Sequence, residues 1–115
     1  MSDRGSLDFV GGLLGEWGYK VSRGIGYDFN AEEADLKLGI EVKSQDLSKP
    51  TGKLVIDWSQ IEALMRAAKN GRTSYLFLHT KDKQYCAIFG LVDCWGVSHV
   101  GEQPSESPFV STAHL

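Results

Sequence analysis

Apolar residues recur at helical spacing near the start of the chain, where Leu7, Val10, Leu14 and Trp17 form one stripe that Leu13 widens. The spacing predicts a helix over 6–17, stopped by Gly18. Gly11, Gly12 and Gly15 lie inside it at a cost of about 1 kcal/mol each relative to alanine, so either tertiary packing overrides propensity or a close backbone approach is wanted there. A strand is expected over 19–25, and 24–30 reads as a loop, either a plain connection or a substrate-contacting one. Over 34–45 the pattern alternates, with Ile40 and Val42 on one face and Glu41 and Lys43 on the other. Pairing Leu36 with Ile40 around a left-handed Gly39 closes a hairpin that sets Asp35 opposite Glu41. Pro50 and Gly52 mark 46–52 as an exposed loop. Asp57 and Gln60 form a capping-box-like start to a second helix, whose Trp58, Ile61, Met65 and Ala68 share one face and are expected in the core. Asn70-Gly71 ends it. Two apolar runs, 74–79 and 85–92, flank Lys81-Asp82-Lys83 and read as buried strands. The order helix, strand, hairpin, helix, strand, strand predicts an α/β domain, a small mixed sheet flanked by helices. From about Trp95 the pattern dissolves; 103–108 is linker-like, and Phe109 and Val110 are candidates to dock on the body or on a second copy.

A chain of 115 residues accommodates one domain with a single core. No stretch approaches the roughly 20 apolar residues of a membrane helix, and no signal-peptide pattern opens the chain, so a cytoplasmic protein with no membrane partner is expected. Cys86 and Cys94 lack metal-ligand spacing and read as reduced thiols, while His79, His99 and His114 are isolated. A net charge of −3 argues against a protein that coats nucleic acid nonspecifically. Between Asp28 and Asp46, six carboxylates face only Lys37 and Lys43. Arg4, Lys20, Arg23, Lys49, Lys53, Arg66, Lys69 and Arg72 either form a basic rim around that acidic centre or are scattered surface charges.

Like charges directly opposite on a sheet destabilise it, and a divalent cation bridging Asp35 and Glu41 is the simplest reason to retain them. Magnesium suits such a site, since it prefers hard oxygens and commonly takes one or two carboxylates together with substrate phosphate. Lys43 is placed to orient or deprotonate a water, or to balance charge growing on phosphorus. The implied chemistry is phosphodiester hydrolysis. The competing reading is the solvated face of an ordinary hairpin, with a lysine balancing two acids.

Asp35 followed by Glu41-Val42-Lys43, Arg4-Gly5-Ser6-Leu7-Asp8 ahead of Leu13-Leu14, the run from Gly18 to Arg23, and the run from Asp57 to Leu64 together resemble the PD-(D/E)XK nuclease superfamily. Within it the likeness is greatest to the archaeal-type Holliday junction resolvases, over roughly 4–92. The resemblance implies a restriction-endonuclease-like mixed central sheet with an αβββαβ core, a nuclease-like domain at 1–95 and a C-terminal tail at 96–115. It implies a Mg2+-dependent endonuclease, with Mn2+ as a substitute, that acts on junction or branched DNA as a homodimer. Carried over by position, Asp35 and Glu41 are metal ligands with Val42, Lys43 is the catalytic lysine, Asp8 the helix acid, and Gln45 the polar residue that follows. Those resolvases have a longer segment between aspartate and glutamate, which makes Asp28 a rival to Asp35; their helix acid is usually glutamate, which keeps Glu16 in view beside Asp8. They also tend to be basic. The alternative function is a noncatalytic module of the same fold that binds nucleic acid or a protein partner.

Overall fold

The computed structural model describes residues 4–45, 57–90 and 94–99, with side chains for 4–44 and 57–90. The loop expected at 46–52, the linker-like segment at 103–108, Phe109 and Val110 lie outside the described residues, as does the side chain of Gln45. Helix α1 spans Arg4–Glu16 and buries Val10, Leu13 and Leu14. Gly18, at φ +99°, ends it: its amide donates to the Gly15 carbonyl and the Tyr19 amide to the Leu14 carbonyl, both at 3.0 Å. This is the Schellman closure that a glycine just past a helix permits.

Strands β1 (Lys20–Arg23), β2 (Phe29–Glu33) and β3 (Leu36–Gln45) follow, then helix α2 (Trp58–Lys69) and strands β4 (Thr73–Thr80), β5 (Tyr85–Gly90) and β6 (Cys94–His99). All six strands join one sheet in chain order. Every neighbouring pair is antiparallel except β3 and β4, which run parallel and are linked through α2. The fold is thus the α/β architecture expected, a mixed sheet flanked by helices whose αβββαβ order is extended by β5 and β6. β6 occupies the stretch where the sequence pattern fades, and it pairs with β5 across an irregularity at Ile88/Phe89.

Alternation divides the sheet between the two helices. Leu38, Ile40 and Val42 of β3 and Tyr75 and Phe77 of β4 share a buried cluster with Val10, Leu13 and Leu14 of α1. The opposite face carries Gly39, Glu41 and Lys43 and lies toward α2, where Ser74 Oγ donates to the Leu64 carbonyl at 2.6 Å.

Three local expectations are corrected. The hairpin does not turn at Gly39: Glu33 pairs with Leu36 and Phe29 with Ile40, so the turn is Ala34-Asp35, with Ala34 at φ +52°. Gly39 sits mid-strand, where an added Cβ would come within 3.3 Å of both the Ala67 Cβ and the Tyr27 ring. It is there for close packing. Helix α2, in turn, buries Ala63, Leu64 and Ala67, whereas Trp58 is 66% and Met65 45% exposed. The close approach of α2 to Gly39 selects the small residues for the buried face. The expected capping box is also absent, for the Asp57 side chain makes no capping bond and its carbonyl instead accepts from the Gln60 amide at 3.0 Å.

Candidate active site

Strand β3 outruns its neighbour. Its first half pairs with β2 as far as Ile40, while the stretch from Glu41 to Gln45 pairs with β4 alone. The chain enters β2 there from the loop 24–28, which Gly26 presses against α2: at φ +82°, it would bring an added Cβ within 2.8 Å of the Ala63 Cβ. The Gly24 amide closes the loop by donating to the Asp28 carbonyl at 3.2 Å. Asp28 precedes Phe29, whose partner is Ile40, and so stands beside Glu41. The amide of Val42 donates to Asp28 Oδ2 at 2.8 Å, which fixes the carboxylate over the freed edge of β3.

Two carboxylates therefore do sit side by side, but the partner of Glu41 is Asp28, the rival, and not Asp35. Asp35 is exposed in the β2–β3 turn, six positions from Glu41, or about 20 Å along a strand. Glu41 is 1% exposed. Burial above all, then the charge of Asp28 and a hydrogen bond with it, push the Glu41 carboxyl up to about 7, against the partial relief that Lys43 supplies. Lys43 Nζ lies 3.9 Å from Glu41 Oε2, with its side chain 16% exposed.

A cleft of about 270 Å3 opens here, lined by Asp28, Glu41, Tyr27, Arg23 and, from α2, Gln60. A larger one of about 680 Å3 adjoins it and shares Leu7, Arg23 and Asp28. Arg4, Asp8, Gly11 and Gly12 of α1 form the wall of this second cleft. Asp8 is thus an exposed residue of the neighbouring cleft, joined to the site through Asp28. Glu16 lies eight residues further along α1, about 12 Å up the helix axis. Val42 enters through its backbone amide. Gln45 continues β3 two positions past Lys43.

Among the described residues no three His, Cys, Asp or Glu side chains converge as a metal cluster. The donor set nevertheless fits a hard divalent cation held by two carboxylates, because Glu41 Oε2 is buried with no hydrogen-bond partner while its neighbour is a second acid. A cation placed between them would satisfy the orphaned oxygen and offset the Asp28 repulsion that adds to burial in raising the carboxyl. Gln60 Oε1 is a second buried oxygen without a partner in the same cleft. The sequence pattern assigns Gln60 to helix capping, and nothing in it signals its place in the cleft that Glu41 also lines.

No protein-family model matches the sequence, and neither does any curated protein. Among solved structures the chain is similar to Hjc of Archaeoglobus fulgidus, a Holliday junction resolvase from an archaeal hyperthermophile. The TM-score is 0.60 at 23% sequence identity, over 77% of this chain and 75% of that one. The likeness is one of fold. In addition, no helix among the described residues is long and apolar enough to cross a membrane.

Proposed function

We propose that this chain is a metal-dependent DNA endonuclease, selective for branched DNA such as a four-way junction. The observation that carries the reading is the Asp28–Glu41 pair, with one carboxylate oxygen orphaned and buried and Lys43 beside it. The fold likeness to a junction resolvase supports the substrate class.

Asp28 and Glu41 would hold magnesium, with manganese as a substitute. When bound, the cation supplies charge neutralisation to phosphate oxygens and acidifies water. The chain's own residues do the rest. Val42 holds Asp28 in place through its amide, and burial of Glu41 excludes bulk water from one side of the pair. The Lys43 ammonium is positioned to orient the attacking water or to stabilise charge on the phosphoryl oxygens. Glu41 must be ionised to bind the cation, so burial and Asp28, which push its carboxyl up to about 7, make cation binding tighten as pH rises. Junction resolution requires two symmetric incisions, and a twofold homodimer repeats one site for each strand.

The test is cleavage of labelled four-way junction, flap and linear duplex by purified protein with Mg2+, Mn2+ or EDTA, alongside Glu41→Ala. Paired, metal-dependent nicks confined to the junction and absent in the variant are expected. Cutting of every substrate would make it a general nuclease; no cutting would favour the noncatalytic binding module.

A further inference from the structure

Gln60 is the polar group of the cleft that the proposed chemistry leaves unused. It sits in the first turn of α2, its backbone amide bound to the Asp57 carbonyl at 3.0 Å. One turn further on, Ala63 meets Gly26 of the loop that delivers Asp28. The side chain therefore projects from a rigid element pinned directly to the acid-bearing loop. Its Oε1 is buried and has no hydrogen-bond donor, the same condition as Glu41 Oε2, and both residues line the cleft of about 270 Å3. Lys43 Nζ, 3.9 Å from Glu41 Oε2, is beyond hydrogen-bond reach, so two buried acceptors around one small cleft suit a filling group that brings positive charge or several protons. A side-chain amide oxygen is an ordinary ligand for a hard divalent cation, and a neutral one adds no repulsion to a pair of carboxylates already in conflict.

We propose that Gln60 is the third protein ligand of the site, its amide oxygen completing with Asp28 and Glu41 the oxygen set that takes a divalent cation. The inference rests on the metal-dependent reading above. It adds a ligand from the opposite element, so cation binding ties α2 to the β2–β3 edge.

The experiment is thermal melting of the full chain, titrated with MnCl2 and MgCl2, for wild type, Gln60→Leu and Gln60→Glu. Wild type is expected to rise in Tm with either metal. Gln60→Leu should need at least tenfold more Mn2+ for its half-maximal shift, while melting in EDTA no lower than wild type because a buried oxygen without a partner has gone. Gln60→Glu should melt lower in EDTA, with three acids crowded together, yet regain tight Mn2+ binding. If Gln60→Leu binds Mn2+ as tightly as wild type, the ligand role is overturned and the two-carboxylate site stands. If wild type itself shows no metal-dependent shift, the metal reading falls and this inference falls with it. Should Gln60→Leu fail to fold, Gln60→Glu decides alone: weakened Mn2+ binding there overturns the proposal.

Discussion

Replacing Glu41 with glutamine separates what the site does for activity from what it costs the fold. The Glu41 carboxyl rises from 4.5 to about 7, chiefly through burial and the neighbouring Asp28. Between those values the folded protein holds a proton that the unfolded chain has released, so stability falls as pH rises through this window. Below about 4.5 both states are protonated and the penalty vanishes; above about 7 it is complete. At about 1.4 kcal/mol per pH unit the full penalty is on the order of 3 kcal/mol. Glutamine cannot ionise, and its NH2 can donate to Asp28 as the protonated acid does. Glu41→Gln in EDTA should therefore match wild type near pH 5 and exceed it at pH 8, by about 1 to 3 kcal/mol. Urea unfolding of both proteins at several pH values measures this, and using their difference cancels other titrating groups. The same variant should cleave no DNA and show no magnesium-dependent rise in Tm, whereas wild type at 100 times its dissociation constant gains about 2.7 kcal/mol. A stability difference independent of pH, or a variant weaker than wild type at pH 8, would refute the account of Glu41 as a strained, buried acid.

Asp28→Asn should reduce cleavage roughly 100-fold or more, since a ligand matters at least as much as the groups that orient one. Asp35→Asn, in an exposed turn, should change it about twofold or less; equal losses would return the ligand role to dispute. Lys43→Ala is expected to lose roughly 100- to 10,000-fold in rate while keeping the magnesium-dependent rise in Tm, and an unfolded variant would remove the lysine from the chemistry. Gly26→Ala should cost about 1 to 3 kcal/mol in urea unfolding, because it combines a left-handed backbone with a Cβ driven into Ala63. An unchanged midpoint would mean that the loop is not pinned to α2.

The faces of β3 were legible because alternation at Ile40, Glu41, Val42 and Lys43 admits only one division of side chains. The partner of Glu41 was not, because the register of β2 depends on where the hairpin turns. Gly39 is the residue that turn preferences select, yet it serves a close approach to Ala67 and Tyr27, while the left-handed position falls to Ala34. Moving the centre of the turn from Leu38 to between Ala34 and Asp35 shifts the partner of Glu41 by seven residues, from Asp35 to Asp28. Helix α2 misleads for a related reason. Its larger apolar residues, Trp58, Ile61 and Met65, have more apolar bulk than Ala63, Leu64 and Ala67, but the close approach to the sheet at Gly39 buries the second face. Periodicity records that a helix has two faces; the spacing between layers decides which is buried. Gln60 was hidden by both effects, since its pairing with Asp57 looks like capping and its location depends on α2 docking over Glu41.

Where this fold satisfies its buried polar groups and where it does not is itself informative. Ser6, Ser74, His79 and Glu41 are the buried polar residues among those described. Ser74 Oγ bonds the Leu64 carbonyl, and His79 is held at both ring nitrogens, Nδ1 against the Thr80 carbonyl at 2.8 Å and Nε2 against Ser6 Oγ at 2.9 Å. Because Nδ1 faces a carbonyl it carries the proton, and in the neutral ring Nε2 then accepts from the serine hydroxyl. A fold able to place a serine opposite that nitrogen is not packed carelessly. Glu41 Oε2 and Gln60 Oε1 nevertheless stay without donors, both in the cleft where a left-handed glycine presses the Asp28 loop onto α2. Local departures that gather in one cleft are the expected signature of a place where function competes with stability. Each departure here also carries the same sign. Glu41 Oε2 and Gln60 Oε1 are acceptors without hydrogen-bond donors, with Lys43 Nζ no nearer than 3.9 Å to the first, which is an environment that a divalent cation relieves and a hydrophobic ligand would make worse.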